Sequence, residues 1–423
     1  MKDFISKISL AIKDPMLRAR ILFVAAALVV FRLFSAIPIP GIDTDALSRL
    51  FSGSQFLGLL DIFSGGGLAN LSIVMLGVGP YITSSIIMQL LTMIFPKLKA
   101  LYHEEGEAGR KRFSQYSRLL TVPLAVLQGI GYLILFERQG VLPNLSQFDM
   151  ATNVIIITAG SLLLMWLGEL MTEFGIGNGV SLLIFAGIVA RLPTVLYQFA
   201  AGFDQAQIPF YIFFTAAAVL VVYGVVVVTE AERPVPVTYA KRVRGNKVYG
   251  GISTYLPLRV NQAGVIPIIF ALSLLLFPQM VFNFFTTSNT EIIKSIAIKL
   301  VAIFNNGWFY SIFYFVLVFL FTYFYTAVTF DPEAISTNLQ KNGAFIPGVR
   351  PGPATAEHLG RVVTRITLVG AVFLGLVAVL PLAMQAVTNN PALAIGGTAL
   401  LIVVSVVVDL FKKVEAQVSM REY

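Results

Sequence analysis

Residues 62–96 read IFSGGGLANLSIVMLGVGPYITSSIIMQLLTMIFP, thirty-five residues without one charge. A helix that only anchors a chain in a bilayer needs about 20 apolar residues and no interruptions. This stretch is interrupted twice, by Ser64-Gly65-Gly66-Gly67 and by Gly77-Val78-Gly79-Pro80. In lipid, such breaks free backbone groups that must find partners in protein or water. The segment is therefore expected to bend or to line a cavity, a working part rather than an anchor.

The rest of the chain fits that setting. Hydrophobic residues make up 57% of it and charged residues 12%, about half the charged share of a soluble domain. An all-α polytopic membrane protein is expected. There is no cysteine, which removes disulfide, thiolate-metal and thiol chemistry. The two histidines, His103 and His358, read as solvated loop residues. No Gly-x4-Gly-Lys-Ser/Thr loop and no nucleophile–base pair is found, so no enzyme, cofactor or metal site is expected. Residues 1–20 form a basic amphipathic segment, and no Ala-x-Ala-like cleavage site follows it.

Apolar windows place ten spans, near residues 21–36, 71–95, 119–136, 154–171, 180–200, 209–228, 264–285, 308–328, 362–387 and 395–411. Lysine and arginine cluster in the N-terminal segment, in the loops after the second, sixth and eighth spans, and in the tail. The opposite loops carry only Arg49, Arg138, Lys294 and Lys299. Positive residues stay cytoplasmic, so both termini are expected there and the span count is even. The expected organisation is a cytoplasmic segment (1–20), an N-terminal half (21–200), a C-terminal half (201–411) and a cytoplasmic tail (412–423).

Ten spans divide into two halves of five, which an odd number forces into opposite orientations. Matching interruptions are the sequence mark of such inverted repeats. Gly77, Gly79 and Pro80 open the second span of the first half; Gly264 and Pro267 open the second span of the other. The fifth spans follow Gly175-Ile176-Gly177-Asn178-Gly179 and Gly396-Gly397. Glycine and proline are also simply common in membrane helices, but two coincidences at corresponding positions favour the repeat.

Val78 and Ile82 lie four apart at one break, and Val180 and Ile184 repeat the spacing in the fifth span. Ile269 follows Pro267, and Ile402 follows Gly396-Gly397. Two readings stand for these six: packing or lipid contact, or a narrow ring that closes a central path by excluding water. Two functions stand with them, a gated channel or an inverted-repeat solute transporter. Ion-coupled transport needs midplane carboxylates or histidines, and Glu169, Glu173 and Asp409 all fall near span ends. Asn178 and Gln262 suit interhelical hydrogen bonds, and Gln89 is a candidate for a gate.

Two long basic loops, about residues 229–262 and 331–361, complete the reading. Alternation around Lys247-Val248-Tyr249 predicts a short hairpin. Ile346-Pro347-Gly348-Val349-Arg350-Pro351-Gly352 predicts a stiff turn that exposes Arg350. Topology and lipid contact account for the charge but not for the stiff turn, which suits docking of an acidic or RNA-containing partner.

Ser72–Leu91 (SIVMLGVGPYITSSIIMQLL), Trp166–Ser181 (WLGELMTEFGIGNGVS), Tyr239–Arg242 (YAKR), Gly264–Pro267 (GVIP) and Ile346–Gly352 (IPGVRPG) together resemble bacterial members of the SecY/Sec61 alpha family, in order along essentially the whole chain. The resemblance implies ten transmembrane helices in two inverted halves around a central pore, in the bacterial plasma membrane. It implies passive conduction of unfolded secretory polypeptides and lateral release of membrane-protein helices into lipid. The pore ring maps onto Val78, Ile82, Val180, Ile184, Ile269 and Ile402. A plug, a short helix near residues 57–70, maps onto Leu60, Ile62, Phe63, Ser64, Gly65, Gly66, Gly67 and Leu68. A lateral gate maps onto Ser85, Ile86, Gln89, Gly264, Pro267 and Ile268. Contacts with the SecA motor ATPase or the ribosome map onto Lys241, Arg242, Arg244, Lys247 and Arg350, and SecE and SecG are the implied small partners. The chain departs from the family at Phe174, where a basic residue is common, at Pro234, often an arginine, and at Val78, often isoleucine.

Overall fold

The structure, a computed structural model, describes residues 14–40, 47, 61, 64–143, 145–190, 193, 197, 208–240, 242–244, 247–249, 253–286, 290–304, 306–388 and 391–419. Its helices up to the first long loop are α1 (Pro15–Ser35), α2 (Gly79–Ile94), α3 (Pro96–His103), α4 (Gly106–Arg138), α5 (Gln147–Phe174), α6 (Gly179–Val189) and α7 (Ile208–Glu230). Strands β1 (Glu232–Tyr239), β2 (Arg242–Arg244), β3 (Lys247–Tyr249) and β4 (Ser253–Arg259) follow. Then come α8 (Ile266–Phe285), α9 (Glu291–Phe304), α10 (Gly307–Thr329), α11 (Pro332–Lys341), β5 (Ala344–Phe345), α12 (Pro353–Thr388) and α13 (Pro391–Ser419).

A helix underlies each of the ten expected segments. Among the described residues four helical runs are long and apolar enough to cross a membrane: Gly106–Arg138, Gln147–Phe174, Gly307–Lys341 and Pro353–Leu380. The pair α2 and α3 makes a fifth, bent by 115°. Pro96 opens α3 there and cannot continue the α2 hydrogen-bond ladder.

The second segment departs from expectation. Its helix starts at Gly79, not near Leu71, and residues 64–78 are a chain of turns. Four backbone positions impose this: Gly65, Gly66 and Gly77 at φ 67, 86 and 58, and Leu71 at φ 41. An L-residue at positive φ cannot propagate a right-handed helix. Leu71 is the one non-glycine at positive φ among the described residues, and it is fully buried. The expected plug helix is likewise corrected over Ser64–Asn70, which is turn; Leu60, Ile62 and Phe63 lie outside the described residues.

The two breaks proposed as repeat partners have one conformation. Gly77 (φ 58) precedes Val78 (φ −92, ψ 4), and Gly264 (φ 61) precedes Val265 (φ −91, ψ −8). Neither valine caps its helix with a side chain, and in both α2 and α8 a proline occupies the first turn. Proline there costs no hydrogen bond, because the first N–H groups of a helix are unpaired anyway. The shared pattern Gly-Val-x-Pro was the sequence signal for this identity.

The all-α expectation holds for the apolar part and needs correcting in the loops. β1 pairs antiparallel with β4 and, at its far end, with β5, so the two long loops build one three-stranded sheet. Val235, Val237, Leu258, Ala344, Ile346, Leu359 and Val363 form its core against the base of α12. Val260 donates to the Ala231 carbonyl (2.9 Å) and Ala240 to the Gly343 carbonyl (2.8 Å). This register turns odd β1 residues toward β4 and even ones toward β5. Pro234 and Pro236 therefore lie along the edge that β5 leaves free, and Pro257 along the outer edge of β4. Lacking N–H groups, they blunt both edges against pairing with other chains. Pro234, a departure at the level of charge, has this backbone role instead. The predicted hairpin is present as β2 and β3, with Val243 opposite Val248.

Candidate functional site

The six branched aliphatics come from four helices. Val78 precedes α2 and Ile82 lies in its first turn; Val180 and Ile184 are on α6; Ile269 lies in the first turn of α8; Ile402 is on α13. α2 packs against α8, and α6 against α13. Val78, Ile82, Ile184, Ile269 and Ile402 are all buried members of one apolar cluster, and Val180 packs against it half-buried. Ile82 and Ile269 each stand four residues past the valine of their Gly-Val-x-Pro break.

The turns from Ser64 to Gly77 sit on this cluster, with Leu68, Leu71, Val74, Met75 and Leu76 buried in it. Asp61 and Ser64 tie the first turn internally. The Asp61 Oδ1 accepts the Ala69 N–H (2.6 Å), and the Ser64 hydroxyl accepts the Leu68 N–H (2.8 Å) while donating to the Asp61 carbonyl (3.0 Å). Further on, Ile39 donates to the Leu71 carbonyl and Ile73 to the Ile37 carbonyl, both at 2.9 Å, which fastens the turns to the chain leaving α1. Ser161 of α5 donates to the Gly77 carbonyl (2.9 Å).

Two glycines of the triplet have a neighbour that leaves no room for a side chain. A Cβ on Gly65 would enter the Phe31 ring of α1, and one on Gly67 would stand 2.9 Å from the Ser72 hydroxyl. Gly66 faces the Arg32 guanidinium at 3.4 Å by the same measure. From the other side, a Cβ on Gly187 of α6 would stand 2.6 Å from the Gly65 carbonyl oxygen and nearer still to its Cα. Gly187 is three residues past Ile184, so it shares that helix face. Sequence reasoning missed Gly187 because a single glycine in an apolar helix carries no pattern.

Of the residues expected at a gate, Ser85, Ile86 and Gln89 lie on α2 and Pro267 and Ile268 on α8, two helices that pack together. Ile86 and Ile268 are buried and Ser85 is half-buried. Gly264 supplies the positive-φ turn before α8, and Pro267 its first turn. The Gln89 carbonyl oxygen on α2 is buried without a partner among the described residues, an unsatisfied acceptor. Asn178, read as interhelical glue, instead caps α6 by accepting the Ser181 N–H (3.2 Å). Phe174 meets Phe23 of α1 edge-on, ring centroids 6.1 Å apart, an aromatic contact at the position where the resemblance implies a basic residue.

On the loops, Arg350 is exposed from a turn whose backbone is fixed at three points. Val349 donates to the Ile346 carbonyl (3.1 Å), Thr355 to the Arg350 carbonyl (2.8 Å) and Ser336 to the Gly352 carbonyl (2.6 Å). Arg242, Arg244 and Lys247 belong to the β2–β3 hairpin; Lys241 lies outside the described residues.

These features define a class: helical membrane proteins in which broken spans meet at an apolar centre covered by a glycine-rich turn. The sequence profile of the SecY family matches residues 72–411. The Protein translocase subunit SecY of Thermotoga maritima is 42% identical over 427 residues, covering 98% of this chain and 95% of its own. That of Streptomyces scabiei is 42% identical over 431 residues, covering 98% and 97%. Among solved structures, a protein conducting channel matches with TM-score 0.67 at 18% identity, covering 96% of this chain and 94% of its own. Sec61 in the canine ribosome-channel complex from the endoplasmic reticulum matches with TM-score 0.61 at 16% identity, covering 96% and 94%. The chain belongs to the SecY family of protein translocase subunits, and its several membrane-length apolar helices make it a multi-pass membrane protein.

Proposed function

We propose that this chain is the channel-forming subunit of a protein translocase. It conducts unfolded secretory polypeptides passively across the plasma membrane and releases membrane-protein helices sideways into lipid. The observation that carries the reading is the pair of Gly-Val-x-Pro breaks. One backbone conformation recurs at corresponding points of the two halves and brings Ile82 and Ile269 into the same apolar cluster. That recurrence favours ten spans in two inverted halves, with both termini cytoplasmic.

In this reading Val78, Ile82, Val180, Ile184, Ile269 and Ile402 form the pore ring. Branched aliphatic side chains at a constriction hold no water, so a closed ring resists ion leak while yielding to a passing chain of any sequence. The turns at Ser64–Leu68 are the plug. The α2–α8 contact, with Ser85, Ile86, Gln89, Gly264, Pro267 and Ile268, is the lateral gate, and the unsatisfied Gln89 weakens it where it must part. The chain has no means of doing work, so a SecA motor or a ribosome drives it from the cytoplasmic loops, and SecE and SecG are its membrane partners.

A secretory chain stalled in transit is expected to crosslink to photoreactive residues at positions 82, 184 and 402. Positions 219 and 220, where Val219 and Leu220 are 63% and 70% exposed on α7, are expected to crosslink to lipid. A stalled chain found at 219 and 220 but absent from 82, 184 and 402 would end the channel reading.

A further inference from the structure

Two of the four positive charges expected on the outer side, Lys294 and Lys299, lie on α9, the helix between α8 and α10. Among the described residues, α9 is packed along one face. Ala297 is buried, and Phe304 meets Phe282 of α8 at 5.8 Å and Phe313 of α10 at 6.0 Å. Beside that face, spacings of four and seven residues align Ile292, Ile296 and Ile303, which are 72%, 54% and 45% exposed. Lys299 falls on the border of this isoleucine stripe, and Ser295 and Glu291 lie beyond it. Trp308, 81% exposed, opens the next helix. Neither lysine has an ion-pair partner among the described residues.

We infer that α9 is a surface anchor lying in the outer leaflet, Ile292, Ile296 and Ile303 sunk among the acyl chains and its lysines on anionic phosphate headgroups. Water would leave the isoleucine stripe uncovered; the boundary of the bilayer covers it, because an amphipathic helix lies in the interface with its apolar face down. Long lysine stems reach from such a helix up to the phosphates. A tryptophan at the same level is the side chain most at home there. Continuity fixes the depth, since α9 joins two apolar helices end to end through short connections. Because α9 packs on α8, the anchor also steadies one side of the α2–α8 contact. The inference rests on the channel reading only for its placement outside.

The chain has no cysteine, so single labels are clean. The full chain, reconstituted in sealed vesicles, carries a fluorophore on Ile296→Cys or on Ser295→Cys. Brominated acyl chains are expected to quench the first and aqueous iodide the second. In mixed vesicles, brominated phosphatidylglycerol is expected to be enriched about fivefold over brominated phosphatidylcholine around position 296. Lys294→Gln with Lys299→Gln should bring that ratio to parity. Iodide quenching of the 296 label, or shielding of it from both quenchers by protein, would overturn the anchor. A ratio unchanged by the double substitution would overturn the role of the lysines. If the 295 label answers only to iodide on the cytoplasmic side, the topology fails and the anchor does not.

Discussion

Gly187→Val is expected to unseat the plug and leave the channel leaky. A side chain there would meet the backbone of the glycine turn, which cannot step aside as a flexible side chain can. A side chain at Gly187 would occupy the space of the Gly65 backbone, which the Phe31 ring blocks from behind. The turn cannot retreat toward α1, so it has to leave its seat. Overpacking of a closed core costs about 1–3 kcal/mol, and about 2 kcal/mol taken from the closed arrangement alone multiplies the open population roughly 30-fold. Ion flux through reconstituted channels and export of substrates without a signal sequence should rise together. Gly187→Ala is expected to do the same more weakly. Gly129→Ala is the control, since outside its own turn of helix a Cβ there would come no closer than 3.9 Å to an atom, the Leu76 Cδ1. Unchanged ion flux from a folded Gly187→Val channel would mean that the plug is not seated on α6.

That seat shows where sequence reading stops. Hydropathy located helices at all ten expected segments because a bilayer selects on composition, and composition is local. It misplaced the start of the second, since Leu71–Val78 is as apolar as a helix and only positive φ at Leu71 and Gly77 makes it turn. The breaks were visible as glycine and proline, and with them Val78, Ile82 and Ile269. The sheet was not visible, because β1 and β5 lie about a hundred residues apart and nothing in either segment announces the other. Pro234 and Phe174 looked like lost charges. In the fold one blunts a strand edge and the other packs on Phe23, roles that belong to backbone register and neighbours rather than residue type.

Arg350→Glu is expected to abolish motor-driven export while leaving the channel folded and inserted. The turn that carries it has its own support: Gly348 and Gly352 take φ 82 and 97, and Thr355 and Ser336 hold the carbonyls of Arg350 and Gly352. None of these contacts uses the guanidinium, so charge reversal costs the fold almost nothing. An exposed arginine on a fixed backbone loses little backbone entropy when it pairs with a carboxylate or phosphate, and such anchors are worth about 2 kcal/mol or more at interfaces. Reversal adds repulsion to that loss, so motor-dependent export should fall by at least about 30-fold. Arg350→Lys keeps the charge without the bidentate fork and should fall between. Thr355→Val separates presentation from charge: it frees one carbonyl, loosens the turn and should lower export several-fold with Arg350 intact. Passive ion flux through the Gly187→Val channel should be the same with and without Arg350→Glu, because the arginine is proposed to engage the motor and not the ring. Normal export by Arg350→Glu would mean that the turn docks nothing, and its rigidity would then belong to the sheet and the base of α12.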